Sequence, residues 1–314
     1  MKNFHREEYQ KIIDKEAAYW DNVGRKAVEY GIPVWVDLKR AGLRRKTVPP
    51  YVKILQYDPY FHNIVRENMR IIEPIKGKSG RILDIVCGAG WIGMLLAEKG
   101  FKVSGLDVSK DMIDIAKRHA QKFSKNLKYA PEYTVMDLNF PGLEKNLYDY
   151  VTAFDGLHHI LHLDNLLKEI RKAVKDKGEL LVYDHVGTGR LTSFINRLGT
   201  FLGYLVPSRN HSYPDQIKYL IGKLSGAKEG QGLSPFEDVS ADKLIGKVGN
   251  YFKIKEIDRH ISLFKIMETV YGLYLPRSIR EKIIRNLKKI DGLLTRKGIL
   301  TGEYVFIRAT KSDI

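Results

Sequence analysis

Carboxylates and glycines follow one another over residues 81–107 in an order that suits nucleoside binding. An apolar run typical of a strand contains Asp84 and ends at Gly88 and Gly90, helical spacing follows, and a second β-branched run ends at Asp107. Glycines let the backbone approach a ligand closely, and a helix N-terminus presents unpaired N–H groups. An acid about 20 residues further on can accept hydrogen bonds from ribose hydroxyls. The spacing therefore predicts a nucleoside-containing cofactor at the carboxyl edge of a parallel sheet.

The acids around this turn indicate which cofactor it is. Residues 88–93 match G-x-G-x-x-G literally, which taken alone would indicate a dinucleotide. Asp84 lies just before the turn, however, where a carboxylate would repel a pyrophosphate but suit the cationic ammonium of a methionine moiety. Asp137 ends a third predicted strand, where it could accept a hydrogen bond from an adenine amine. These positions favour S-adenosylmethionine over a nicotinamide cofactor.

The chain at this point resembles the class I S-adenosylmethionine-dependent methyltransferases. The resemblance covers roughly residues 80–186 and a closing strand near the C-terminus. It rests on five segments in the usual order and spacing. Each segment alone is modest evidence for the family, and together they are strong evidence: LDIVCGAG, VSGLDVS, VMDLN, FDGLHHI and GELLVYDH.

The resemblance implies cofactor-binding residues at the ends of the first four strands: Asp84, Gly88, Gly90, Asp107, Val108, Met112, Asp137, Leu138, Phe154 and Asp155. Those after the first and fourth strands would border the methionine and its sulfonium. Asp107 would bind the ribose, Val108 and Met112 would enclose the adenine, and Asp137 would meet its exocyclic amine. The alternative for each acid is a helix cap or a surface charge.

Three histidines follow the fourth and fifth strands and could serve as a general base. His158 and His185 are the main catalytic candidates, because a histidine with a pKa near neutrality can take a proton from a hydroxyl during O-methylation. His159 is a weaker candidate. Asp184 could orient His185, bind substrate or simply end its strand. The alternative is that the L-H-H element packs against the following helix.

One position departs from the family pattern L-D-x-G-C-G-x-G. Val86 stands where the family usually has its first glycine. Since β-branched residues are favoured in strands, we expect Val86 to continue the first strand and the cofactor site to tolerate it. The alternative is a weakened site, which would make the chain a non-catalytic S-adenosylmethionine-binding subunit.

Alternating strand and helix patterns predict an α/β protein with the Rossmann-like class I methyltransferase fold. Its mostly parallel seven-stranded sheet carries helices on both faces. The predicted strands are 81–86, 102–107, 132–136, 148–154, 178–184, one near 252–261 and one near 302–310. The chain divides into an N-terminal helical cap (1–75), the cofactor-binding core (76–186), a helical lid insertion (187–238) and the rest of the core with an inserted helical pair (239–314).

The lid insertion begins with an apolar face sustained over four turns of a predicted helix, from Leu191 to Leu205. This face either packs as a lid against the core, or forms an apolar acceptor pocket or a shallow membrane contact. Arginines flank it as in an interfacial helix. Further along the insertion, His211 and Tyr213 are candidate substrate contacts.

Composition limits the alternatives. The net charge of +16 and pI near 9.6 favour anionic partners, which include lipid surfaces and nucleic acid. The single cysteine, Cys87, excludes a Cys-cluster zinc site and an internal disulfide, and no metal is expected. No transmembrane segment and no signal peptide are expected, so the cytoplasm is the default location, with a peripheral position at a membrane as the alternative.

The predicted function is methyl transfer from S-adenosylmethionine to the oxygen or carbon of a small molecule with an apolar or sugar-like part. The L-H-H element resembles small-molecule members of the family, and the D-P-P-Y type of motif used on nucleic-acid bases is missing after the fourth strand. An RNA or protein methyltransferase and a non-catalytic cofactor-binding subunit are the alternatives, with a nicotinamide oxidoreductase a distant third.

Overall fold

The computed structural model describes residues 6–30, 69–123, 125, 127–204 and 241–311. The N-terminal helical cap predicted over 1–75 lies partly outside them, and its described C-terminal end forms two 3₁₀ turns, Met69–Ile71 and Glu73–Ile75. The second half of the lid insertion, with His211 and Tyr213, also lies outside the described residues.

A single seven-stranded sheet organises the core. Its strands are β1 (Arg81–Ile85), β2 (Lys102–Asp107), β3 (Glu132–Val135), β4 (Tyr148–Phe154), β5 (Val174–His185), β6 (Phe252–His260) and β7 (Tyr304–Lys311). The strand order is β3-β2-β1-β4-β5-β7-β6, with β7 antiparallel to both of its neighbours and the first five strands parallel. The predicted Rossmann-like class I methyltransferase fold is confirmed. β5 begins four residues earlier than predicted, because Val174 pairs with Tyr148 before an irregularity in the register.

The α-helices are α1 (Arg6–Tyr30), α2 (Trp91–Glu98), α3 (Lys110–Phe123), α4 (Leu163–Ala173), α5 (Arg190–Tyr204), α6 (Ala241–Tyr251), α7 (Phe264–Gly272) and α8 (Arg277–Arg296). On one face of the sheet, α4 and α6 bury leucines and valines against β4, β5 and β7. On the other face, α2 packs over β1 and β2, and α3 packs beside it against β3. The layers therefore leave the carboxyl ends of β1 to β5 at one edge, where the candidate residues gather.

Val86 corrects the sequence prediction. It does not continue β1, which ends at Ile85; its φ of 51° lies in the left-handed region. A β-branched residue is strained there, because its side chain crowds the backbone. The neighbouring chain leaves room, since a Cβ added to Gly156 would come within 2.7 Å of the Val86 side chain. Val86 thus adopts a backbone conformation that favours glycine, the residue that the family usually has at this position.

We expect Val86→Gly to be more stable than Val86→Ala by about 1 kcal/mol, because both lose the γ-methyl packing and only glycine relieves the left-handed strain. Urea unfolding of the two full-length variants measures the difference. At Val135, whose φ is not positive, the same pair of substitutions should give the opposite order. An alanine variant at position 86 as stable as the glycine variant would contradict the assignment of strain.

The N-terminal helix and a C-terminal group of helices lie outside the core. α1 packs against α3. α7 packs against α5 and α8, and together they bury a small separate cluster that includes Leu263, Met267 and Ile284. The large apolar side chains of the α5 stripe are exposed, so the stripe does not pack against the described part of the core, and the assignment of residues 187–238 as a lid stays a prediction. Within the described residues, no helix is long and apolar enough to span a bilayer.

Candidate cofactor and acceptor site

The glycine turn after β1 is the first part of the site. Gly88 has a φ of 50°, and a Cβ built on it would meet no atom of the described residues within 4 Å, so no described residue blocks the approach of a ligand there. Gly90 has a different reason to be glycine, because a Cβ would come within 2.6 Å of the Tyr133 ring. The Tyr133 hydroxyl donates a 2.9 Å hydrogen bond to the Gly90 carbonyl oxygen. Gly88 therefore suits close approach by a ligand, whereas Gly90 lets the turn pack on β3.

Asp107, at the end of β2, links that strand to the glycine turn after β1 through hydrogen bonds. Its carboxylate accepts hydrogen bonds from the backbone N–H groups of Gly88 (2.8 Å) and Ser109 (2.9 Å). Burial raises the pKa of this carboxyl, and the backbone N–H groups oppose that shift. A carboxylate has about four lone-pair sites, so these two bonds leave acceptor capacity for ribose hydroxyls. Asp107 thus lies where a ribose-binding acid is expected, and that role stays a prediction.

Asp84 lies within β1 and is buried beneath the turn. Its Oδ1 accepts a 2.9 Å hydrogen bond from Thr152 Oγ1, while Oδ2 has no hydrogen-bond partner among the residues that the structure describes. Burial raises the pKa of this carboxyl from its ordinary 3.8 to about 7, against the opposing effect of Thr152. The buried carboxylate supports the turn from below. Its predicted contact with the methionine moiety stays a prediction.

The raised pKa of Asp84 makes the stability of the cofactor-free protein depend on pH. The folded state keeps the proton up to about pH 7, whereas the unfolded chain releases it near pH 3.8. The folded state therefore binds more protons between these values, and its stability falls as pH rises through this window and then levels off. Asp84→Asn cannot ionise, so its stability relative to the parent should rise by about 1–3 kcal/mol from pH 5 to pH 8.

Urea unfolding without cofactor at both pH values measures this difference, with Asp114→Asn on the exposed face of α3 as the matched control. An equal gap between Asp84→Asn and the parent at the two pH values would mean that Asp84 does not carry the buried proton.

The predicted adenine region lies between β3 and α1. Asp137 accepts hydrogen bonds from the Tyr9 hydroxyl and from the backbone and side-chain nitrogens of Asn139. Leu138 is buried in the core cluster beside α4 rather than at the surface, so it is better placed for packing than for ligand contact. Any adenine amine that meets Asp137 must therefore share its carboxylate with Tyr9.

α1 covers the start of α3, where the other adenine candidates lie. Asp21 accepts hydrogen bonds from Ser109 Oγ (2.5 Å) and from the Asp111 backbone N–H (3.0 Å). Met112 is buried and packs in a cluster that Trp20 joins, and Val108 is half-buried. The cap thus closes on the residues expected to hold the nucleoside.

The structure places each of the three candidate histidines beside a carboxylate from a different part of the chain. His158 Nδ1 lies 2.5 Å from Asp184 Oδ1, and the other Asp184 oxygen accepts a 2.8 Å bond from the Leu157 backbone N–H. His159 Nδ1 lies 3.2 Å from Glu16 Oε1 of α1. His185 Nε2 lies 3.2 Å from Glu303 Oε1, just before β7. Asp184 thus pairs with His158, whereas the sequence suggested that it could orient His185.

The three pairs form one cluster. The rings of His158 and His159 are 4.0 Å apart between centroids, and those of His158 and His185 are 6.0 Å apart. The hydrogen bond to Glu303 raises the pKa of His185 against the effect of burial. Burial, followed by the Asp184 charge, raises the pKa of Asp155. Proton-transferring groups therefore concentrate at the carboxyl ends of β4 and β5.

Asp155 and Phe154 end β4 in different environments. Asp155 has a φ of 52°, and its carboxylate lies close enough to His158 and Asp184 that one ligand atom from each of the three residues falls within 4.8 Å of the others, a donor set that a divalent cation could accept. The expectation that no metal is used stays a prediction. The Phe154 ring stacks on Tyr183 at 5.1 Å and meets Trp91 edge-on at 4.6 Å. Phe154 is therefore engaged in an aromatic row next to the histidines.

Sequence reasoning missed the acids that come from distant segments, Glu16 and Glu303. Glu303 gave no signal, because it lies over 100 residues from its partner. Glu16 gave one: it falls on the helical face shared by Tyr9, Ile13 and Trp20, where a buried charge needs a partner.

These observations fit an S-adenosylmethionine site. Asp107 and Asp137 present carboxylates at neighbouring strand ends, which suit a ligand with ribose hydroxyls, an adenine amine and net positive charge. The open space at Gly88 admits close approach of its backbone, next to the N-terminus of α2.

A family model described as a methyltransferase domain matches residues 57–221, more than half of the 314 residues. The chain belongs to this methyltransferase domain family. Together with the fold, the match confirms the predicted class, the S-adenosylmethionine-dependent methyltransferases.

Relatives with assigned names are similar over the core. A ubiquinone biosynthesis O-methyltransferase of Coxiella burnetii is 29% identical over 154 residues, covering 46% of this chain and 59% of the relative. A demethylmenaquinone methyltransferase of Bacillus cereus is 30% identical over 163 residues, covering 51% and 61%. The chain thus spans about three fifths of the length of these relatives.

Among solved structures, a geranyl diphosphate C-methyltransferase from Streptomyces coelicolor A3(2) superposes with a TM-score of 0.56. The match covers 96% of this chain and 98% of the other at 16% identity. At that identity the similarity establishes the fold alone.

Proposed function

We propose that the protein transfers the methyl group of S-adenosylmethionine to a hydroxyl of a small molecule with an apolar part, with His158 as the general base. The observation that carries the proposal is the His158–Asp184 pair, 2.5 Å apart at the sheet edge. A buried carboxylate that accepts from Nδ1–H fixes the tautomer in which Nε2 is the basic atom. Asp184 is fully buried and also bound to the backbone, so it is positioned to do this.

The chemistry requires one methyl transfer and one proton transfer. S-adenosylmethionine, when bound, supplies an electrophilic methyl carbon on sulfur. The acceptor oxygen forms the new bond to carbon as the carbon–sulfur bond breaks, and its proton passes to His158. The protein's part is to align the acceptor and take up that proton, while Asp184 stabilises the resulting imidazolium.

The names of the two relatives support an acceptor of the quinone type. One is named for ubiquinone biosynthesis and the other for demethylmenaquinone. The aromatic row beside the histidines, which includes Tyr304 at 5.2 Å from the His185 ring, offers flat apolar surfaces for such a ring. Carbon methylation stays open, because the site also suits removal of a proton from an activated ring.

Incubation with methyl-labelled S-adenosylmethionine and fractionated cell extract tests the proposal. Label is expected in small molecules that extract into organic solvent, and His158→Gln should abolish most of it. Label in RNA, with steeply salt-dependent binding, or in protein would favour the alternative acceptors. Cofactor binding by calorimetry without any transfer would favour the non-catalytic subunit.

We also infer that the protein works in the cytoplasm at the surface of a membrane. The net charge of +16 supports an anionic partner, and an acceptor with an apolar part partitions into lipid. Fractionation of cells expressing the tagged protein tests the location. Recovery with nucleic acid that is lost on nuclease treatment would favour nucleic acid as the anionic partner.

A further inference from the structure

Helix α5 turns polar residues toward the protein. Thr192 and Asn196 are only 1% and 6% exposed. Thr192 Oγ1 accepts a 2.8 Å hydrogen bond from the Thr301 backbone N–H, and Asn196 Nδ2 donates a 2.7 Å bond to the Ser262 carbonyl oxygen. These bonds fix the rotation of the helix about its axis, so its outward face is determined by specific contacts.

The outward face is apolar. Its large side chains are all more than two fifths exposed: Leu191 (53%), Phe194 (64%), Leu198 (47%), Phe201 (41%) and Leu202 (53%). At 3.6 residues per turn they occupy an arc of about 100°. A surface helix of a globular protein normally buries such a stripe and exposes its polar face. A contiguous exposed stripe of this kind marks a binding surface.

The charges around the stripe identify its partner. α5 contains no acidic residue, and Arg190 and Arg197 are exposed along one border of the stripe. In the same group of helices, α8 carries seven basic and two acidic residues; Arg280 and Asp291 are buried, which leaves six basic residues and one acidic residue outside the buried set. An apolar stripe bordered by cations matches an anionic lipid surface, where the acyl boundary accepts the stripe and the headgroups accept the cations.

We propose that the exposed stripe of α5 inserts into the surface of an anionic membrane. A second copy of the chain fits less well, because a strip about 17 Å long and 10 Å wide offers about 170 Å² per copy. Stable interfaces bury about 800 Å² per partner. The benefit of membrane binding rests on the proposed function. α5 begins five residues after His185, so an inserted α5 would hold the catalytic site near an acceptor dissolved in the lipid.

The single cysteine makes a direct test possible. Cys87 is buried, and burial raises the pKa of its thiol, so it should not compete for a thiol-reactive probe. A thiol introduced by Leu198→Cys can then carry an environment-sensitive fluorophore. Vesicles with about one third phosphatidylglycerol should shift its emission to the blue, and pure phosphatidylcholine vesicles should not. Ile257→Cys on β6, with 46% exposure, is the matched control and should show no shift.

Flotation with the same vesicles gives the energetic test. Phe194→Ser together with Phe201→Ser should weaken binding at least about tenfold, and Arg190→Gln or Arg197→Gln about fivefold each on anionic vesicles. Ile257→Ser should change nothing. S-adenosylmethionine affinity and circular dichroism show that each variant is folded.

The outcomes separate the possible occupants of the stripe. A blue shift without vesicles that grows with protein concentration would assign the stripe to a second copy and overturn the proposal. No shift under any condition would mean that another part of the chain covers it, with the same consequence. The test requires no methyl transfer, so vesicle binding by a protein that methylates nothing would refute the proposed function and leave this inference standing.

Discussion

His158→Ala is expected to lower kcat by about 10²- to 10⁴-fold while leaving the Kd for S-adenosylmethionine within about twofold. The reason is that His158 has the one imidazole in the cluster that is oriented by a fully buried carboxylate, Asp184. Without it, the acceptor hydroxyl loses the group that the proposal assigns to take its proton. Single-turnover rates with labelled cofactor and the acceptor fraction measure kcat, and calorimetry measures cofactor affinity.

The neighbouring pairs provide controls. Asp184→Asn should act in the same direction, because an amide cannot stabilise the imidazolium, and it should move the acidic limb of the pH–rate profile. His185→Ala should reduce kcat far less, because His185 pairs with Glu303 and is not part of the His158–Asp184 pair that the proposal assigns as the base. If His158→Ala lowers stability but not the rate per folded molecule, the L-H-H element has only a packing role. If His185→Ala has the larger effect, the base is assigned to the wrong pair.

The placement of Asp84, Asp107, Asp137, His158 and His185 at one sheet edge could be predicted from sequence, because parallel strands separated by helices bring their carboxyl ends together. Partners that arrive from other segments could not. Tyr9 reaches Asp137 across 128 residues, a contact that depends on how α1 docks. Local patterns define elements, and docking decides which side chains meet.

Val86 and α5 show two further limits. Strand propensity suggested that Val86 extends β1, but the chain has to turn at that position, and tertiary context overrides a propensity worth about 1 kcal/mol at most. The hydrophobic periodicity located the apolar stripe of α5 correctly, but periodicity does not show whether such a stripe faces the protein or the solvent. The hydrogen bonds of Thr192 and Asn196 set that direction, and their partners lie 109 and 66 residues away, respectively.

Asp107→Ala is expected to weaken binding of S-adenosylmethionine by about 2–4 kcal/mol, or about 30- to 1,000-fold in Kd. Two effects add in the same direction. The ribose would lose hydrogen bonds to a carboxylate, which are stronger than those to neutral acceptors. The turn would also lose its attachment, because the Gly88 and Ser109 N–H groups donate to this side chain. Calorimetry with S-adenosylmethionine and its demethylated product measures both affinities.

Asp114→Ala is the matched control, since it removes an equal charge from an exposed position on α3 and should change affinity by less than about 0.5 kcal/mol. Asp107→Asn separates the two effects. Its amide oxygen can still accept from one backbone N–H, so the turn keeps part of its attachment while the charge-assisted bonds to ribose disappear. An asparagine variant that binds like the parent would mean that Asp107 acts through the turn alone. Equal losses from Asp107→Ala and Asp114→Ala would mean that the ribose is not bound at the end of β2.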